Sequence, residues 1–162
     1  MGCKYKSKIG DIYKFMNLED IEGHYYFQYV ANDIHQLNSS VIIIFESFEK
    51  EMFILSEIVN QPILFYAHTV INWGVIGNHW IKIGNSQIIV DIKLNFKSFG
   101  TTYVGDSELK KMKFEDRWSY WETNREKIHS LVNLPKECIF FEDGGVTPAS
   151  ELIYRIKMGS YH

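Results

Sequence analysis

The residues that could carry reactive chemistry in this chain are six histidines, two cysteines and a scatter of carboxylates, and their spacing matches no common catalytic or metal-binding pattern. No two histidines stand in HExxH or HxH spacing, the arrangements that put two imidazoles on one metal from one helix face or one strand. His24, His35, His68 and His79 fall singly in segments that read as strands or turns. A lone strand histidine is far more often a packing or surface residue than a ligand, so no metal and no cofactor is expected. Cys138 has His129 nearby in sequence, yet a cysteine–histidine dyad needs spatial contact and a lowered thiol pKa, which sequence proximity does not supply. Ser47, Ser56 and Ser119 lack the flanking glycines of a nucleophile elbow. Neither GxxxxGK[ST] nor a strand-to-helix GxGxxG is present. The one enzymatic alternative left is a small hydrolase or nucleic-acid-processing enzyme whose site the fold would assemble from His68, His79 and carboxylates. The main expectation is a non-enzyme.

Two acidic groups are candidates for meeting a basic partner: Asp11, Glu19, Asp20 and Glu22 around one polar loop, and Glu142 and Asp143 ahead of a Gly-Gly pair. Solvated loops are the commoner explanation of such runs. Trp73, Trp80, Trp118 and Trp121 could anchor an interface, although large aromatics are core material first, and at least half should be buried. Lysine and arginine are interleaved with aromatics only around Lys110 to Arg117, a thin basis for nucleic-acid stacking. A formal charge of −3 offers no field that would gather phosphates, so no nucleic-acid partner is expected.

The elements that must position these residues are mostly strands. The chain has 162 residues, a usual size for one domain, and no linker, repeat or low-complexity stretch divides 1–162. Ten Tyr, eleven Phe and four Trp with only three Pro favour an ordered, β-rich fold. Strands are expected at Lys8 to Phe15, His24 to Ile34 and Val41 to Phe48, the last two as antiparallel neighbours. The unbroken run Val41-Ile42-Ile43-Ile44-Phe45 implies burial on both faces. Phe53 to Val59 alternates weakly, and Ile63 to Ile71 reads as a further strand. Asn78 to Gly84 and Gln87 to Phe96 suggest a hairpin about Asn85-Ser86. Gly100 to Asp116 is polar and reads as a solvated loop or one short helix at Ser107 to Met112. Arg117 to Asn124 and Glu126 to Leu131 are late strand candidates. A helix is expected over Thr147 to Met158, with Thr147 as cap, Pro148 in the first turn, Leu152 and Ile156 inward and Gly159 as stop. The fold class is mainly β (α+β): an antiparallel sheet, with a barrel-like closure as one option, and a C-terminal helix packed on it. With no apolar run near 18 residues and a polar start, no membrane association is expected and a cytoplasmic location is.

Three stretches together resemble the Imm26-type immunity proteins of bacterial polymorphic toxin systems. KIGDIYKF, Lys8 to Phe15, followed by the aromatic strand His24 to Val30, resembles the family's Gly-Asp strand and its successor. Ile71-Asn72-Trp73-Gly74-Val75 leading to Trp80-Ile81-Lys82-Ile83-Gly84-Asn85 resembles its apolar segment and Trp-x-x-Ile-Gly pattern. Leu134-Pro135-Lys136-Glu137, then Glu151 to Gly159, resembles its Leu-Pro-Glu turn and closing Arg-Ile-x-x-Gly helix. The resemblance implies a protein that binds a cognate toxin domain in the cytoplasm and blocks its active site or substrate surface, without enzyme activity and with no transferable site residues. A basic toxin domain, a nuclease for example, would suit the acidic groups named above. A scaffold or regulatory subunit using an exposed sheet edge is a third reading.

Overall fold

The computed structural model describes residues 6–88, 93–104 and 113–159. Its centre is a five-stranded antiparallel sheet in the order β4-β3-β2-β1-β5, built from β1 (Asp11–Phe15), β2 (Tyr26–Asp33), β3 (Ser39–Phe45), β4 (Ile63–Thr69) and β5 (Trp80–Asn85). Gly10, at φ +93°, turns the chain into β1, a conformation that glycine adopts without strain. β2 and β3 pair antiparallel as expected, with Phe27 opposite Ile44 and Tyr29 opposite Ile42.

The apolar run in β3 lacks alternation because both of its faces are covered. Ile42 and Ile44 point into one cluster with Tyr13, Phe15, Phe27, Phe65 and Trp80, closed by Leu152 and Ile156 of a C-terminal helix. Val41, Ile43 and Phe45 point the other way, into a cluster with Ile12, Tyr26, Ile58, Leu94, Phe96 and Trp121. Each fully buried Ile or Phe side chain contributes roughly 1.5–3 kcal/mol, so this double burial is the main stabilising feature of the molecule.

That helix, α3 (Ala149–Met158), stops at Gly159 in the left-handed conformation, φ +62°, as its sequence signal indicates. Its start differs from expectation by one residue: Pro148 is the flanking residue in extended conformation, and the Thr147 hydroxyl donates to the Gly145 carbonyl rather than capping the helix.

The second sheet has the order β8-β7-β6-β9, made of β6 (Asn95–Val104), β7 (Lys113–Glu122), β8 (His129–Leu131) and β9 (Glu142–Asp143), with β9 parallel to β6. The two sheets stack through Leu94, Phe96 and Trp121 and do not close into a barrel.

Four local expectations are corrected. The segment within Phe53 to Val59 forms a short helix, α1 (Leu55–Val59), whose Ile58 and Val59 are buried; its two inward residues are adjacent, which suits a helical corner better than a strand of period two. The hairpin about Asn85-Ser86 does not form among the described residues: β5 pairs with β1, Trp80 opposite Phe15, and the chain leaves for the second sheet at Asn95. Residues 89–92 of that expected hairpin lie outside the described residues. Gly100 to Asp116 is no solvated loop where it is described, since Gly100–Val104 and Lys113–Asp116 are the outer halves of β6 and β7 in continuous register. The short helix considered at Ser107 to Met112 lies outside the described residues. Ile71, read as the end of a strand, instead opens a second short helix, α2 (Ile71–Ile76), whose Gly74 packs under the Trp80 ring. A short 3-10 turn at Lys136–Cys138 follows Leu134-Pro135.

Candidate functional site

The six carboxylates singled out in the sequence have three different fates. Asp11 is completely buried. Its Oδ2 accepts from the Lys8 amide at 2.9 Å, and its Oδ1 accepts from Asn85 Nδ2 at 2.9 Å and lies 2.6 Å from Lys82 Nζ. Burial alone would raise its pKa, but Lys82, Asn85 and the Lys8 amide outweigh it and hold the carboxyl below its ordinary value. Asp11 therefore ties β5 to the start of β1 and cannot touch a partner, which corrects its place among the surface contacts. Asp20 pairs with Lys157 at 2.9 Å, and Glu142 with Arg155 at 2.9 Å, so two basic residues of one helix neutralise a member of each acidic group. The Lys157 ammonium lowers the Asp20 pKa. Glu19, Glu22 and Asp143 are exposed and in no ion pair among the described residues. Beside Glu22, the fold brings up Glu49 across a shallow depression that Gly23 and Ser47 complete.

The histidines considered for an enzymatic site are not brought together. His68 is fully buried on β4, with its ring centroid 3.9 Å from that of Phe96 and therefore on the side of the second sheet. His79 lies by Trp80, whose ring belongs to the cluster on the opposite face of the first sheet. What His68 meets is Asp33 of β2, Nε2 to Oδ2 at 3.0 Å. The same Asp33 accepts from Trp121 Nε1 at 3.0 Å and from the Asn124 amide at 3.1 Å. Burial drives the His68 pKa down against the pull of Asp33, so the ring is neutral, donates through Nε2 and leaves Nδ1 bare. A bare acceptor nitrogen is less costly to bury than a charged ring with an unmatched N–H. The constellation joins β2, β4 and β7 across the inter-sheet space and stands away from solvent. Its chemistry is that of a lock between sheets. Asp33 and Trp121 were not singled out together in the sequence, since nothing in their separation of 88 residues announces a contact.

The Cys138 thiol is free and buried, and burial raises its pKa. A raised pKa opposes nucleophilic use. Among the described residues no group of three or more His, Cys, Asp and Glu is arranged to hold a metal ion, and no helix is long and apolar enough to cross a membrane.

A further surface feature is a cleft of about 460 Å³ between β9 and α3, lined by Lys97, Phe140, Glu142, Asp143, Glu151 and Arg155. Its cations are engaged: Lys97 donates to the Ile139 carbonyl and Arg155 pairs with Glu142 and lies over the Phe65 ring at 4.1 Å. Of the four tryptophans, Trp80 and Trp121 are buried, Trp73 is 74% exposed and Trp118 lies half-buried on the second sheet, beside Phe99. Comparison of the chain with protein-family models, with curated proteins and with solved structures finds no match.

Proposed function

We propose that this protein is an immunity protein, which binds a cognate toxin domain in the bacterial cytoplasm and neutralises it by covering its active site or substrate surface. One observation carries the reading: His68 and Asp33 are bonded to each other in the interior and Asp11 is held there by Lys82 and Asn85, while the surface offers carboxylates and aromatic side chains suited to contact. A protein built this way acts through its surface. Exposed carboxylates raise the capture rate of a basic partner, and desolvated aromatics slow its release. The sequence resemblance to Imm26-type proteins points the same way. It implies the biological setting, expression beside a toxin gene, on which fold and charge are silent.

The test is to co-express the carboxy-terminal domain encoded by the neighbouring gene with this protein. The expected result is co-purification of the two and survival of cells that die from the domain alone. Survival no better than without this protein, or the absence of any complex, refutes the proposal.

A further inference from the structure

The β6–β7 hairpin reverses its polarity along its length. Near the core, Phe96 and Trp121 face the first sheet and are buried. The register then runs without a slip, so Ser98 and Ser119, Gly100 and Arg117, and Glu115 follow on that same inner side. The opposite side carries Phe99, Phe114, Trp118 and Tyr120, with Phe141 against the Tyr120 ring at 6.1 Å. An antiparallel sheet with one solvated face normally reads apolar inward and polar outward. Here the outer half of the hairpin reads the other way. Phe99 packs on Trp118 with ring centroids 5.0 Å apart, Leu131 of β8 stands opposite Trp118, and Tyr120 stacks on His129 at 4.6 Å. Phe99 is 56% exposed and Phe114 64% exposed. Apolar side chains gathered on one outward face mark a contact surface.

Charge says what kind of partner it fits. Asp116 lies on the same side of β7, as does Glu122, which pairs with Arg125 at 3.3 Å, and Asp143 stands opposite Lys97 at the sheet's edge. The Lys97 ammonium is engaged by the Ile139 carbonyl, and Arg117 faces the other side, bonded to Glu115 at 2.9 Å. Exposed aromatic faces among carboxylates are a surface for guanidinium and ammonium groups, by cation–π contact and charge-assisted hydrogen bonds. They repel phosphate, and a two-fold self-contact would set carboxylate against carboxylate.

We infer that the outer face of the second sheet, centred on Trp118 and flanked by Asp116 and Asp143, is the docking surface for an arginine- or lysine-bearing polypeptide. This deepens the proposed function, on which it rests, by moving the interface from the Glu19 to Glu22 loop to the sheet. Asp143 is then the one sequence-nominated carboxylate that belongs to it.

The experiment is an NMR titration of the labelled protein with a six-residue peptide alternating Arg and Thr, with Glu/Thr and twelve-nucleotide thymidine probes in parallel. The expected result is saturable binding of the Arg peptide, with movement of the Trp118 indole signal and the β6 and β7 amides while the Trp73 indole stays still. Asp116→Lys with Asp143→Lys weakens that binding at least tenfold, and Glu19→Lys with Glu22→Lys leaves it within twofold. A footprint on the Glu19 to Glu22 loop, no saturable binding, tighter binding of the oligonucleotide, or a dimer that Trp118→Ala dissolves would each overturn the inference. If the toxin domain binds elsewhere, the immunity reading stands and this surface falls. If the peptide binds here and no toxin domain does, the surface stands and the immunity reading falls.

Discussion

Replacing Asp33 by Ala tests whether the buried constellation holds the two sheets together. The carboxylate accepts three hydrogen bonds, from His68 Nε2, Trp121 Nε1 and the Asn124 amide, and both its own side chain and that of His68 are without solvent exposure. The alanine variant leaves three donors facing a small apolar gap. Each buried donor without a partner costs roughly 1–3 kcal/mol, and water entering the gap would recover part of that. A net loss of about 3–5 kcal/mol is expected, the same scale as removing one member of a buried polar pair. Against a total stability of about 5–15 kcal/mol, that is a large fraction. Urea unfolding followed by tryptophan fluorescence reports the change directly, because Trp121 is one of the donors. A double-mutant cycle with Trp121→Phe should give a coupling of at least about 1 kcal/mol, since the two residues share one bond. A destabilisation below about 1 kcal/mol with no coupling would refute the idea that this cluster locks the sheets.

The pH profile should follow from the same cluster. Burial lowers the His68 pKa in the folded state, so below about pH 6.5 the unfolded chain takes up a proton that the folded chain refuses; stability falls with acidification there until the folded value is reached. His68→Gln, which keeps a donor toward Asp33, should flatten that part of the profile, measured as the urea midpoint between pH 7.5 and 5. Asp11, whose pKa is lowered in the folded state, adds a second loss as pH falls below about 3.8, and Asp11→Asn should remove it. Gly74→Ala would place a Cβ 1.9 Å from Trp80 Cζ2, and about 1–3 kcal/mol or more of stability should be lost in thermal unfolding. In a Cys3→Ser background, Cys138 should react with an aromatic disulfide reagent only as fast as the protein opens, because its thiol is buried with a raised pKa; rapid labelling of native protein would contradict the burial.

Much of the first sheet was legible because its signals are local. The Gly10-Asp11 entry to β1, the unbroken Val41 to Phe45 run and the Pro148 to Gly159 helix each depend on neighbours within a few residues. The second sheet was harder. Thr101 to Val104 and Lys113 to Asp116 are polar enough to read as loop, since a strand whose outer half covers no core of its own shows no apolar alternation toward the molecule. The signal was present in Phe114, Trp118 and Tyr120, spaced at even intervals, but even spacing marks a face without saying which way it points. The candidate contacts failed at Asp11 for a similar reason. A carboxylate beside a glycine reads as solvated turn chemistry, and only the fold brings Lys82 and Asn85 of β5 onto it. The rival pairing of His68 with His79 was set aside by sheet faces, which no one-dimensional spacing displays.

The turns carry a further argument about what this scaffold is for. Four asparagines, Asn17, Asn38, Asn78 and Asn124, hold positive φ between 46° and 61°, where glycine would be the strain-free choice. Asparagine tolerates the left-handed region better than other residues with a side chain. It also leaves the unfolded chain less freedom than glycine, an effect worth about 0.4–1 kcal/mol per site where the native angle can be adopted. Three of the four side chains or backbones are then used: Asn17 donates to the Asn78 carbonyl, and Asn124 accepts from the Ile34 amide and donates its own amide to Asp33. Connections held this way lose little further freedom on contact. For a protein that acts by binding, ordering fixed in advance is ordering that association need not supply, and more of the contact energy appears as affinity. A hinge or lid enzyme would be served by the opposite choice at these corners.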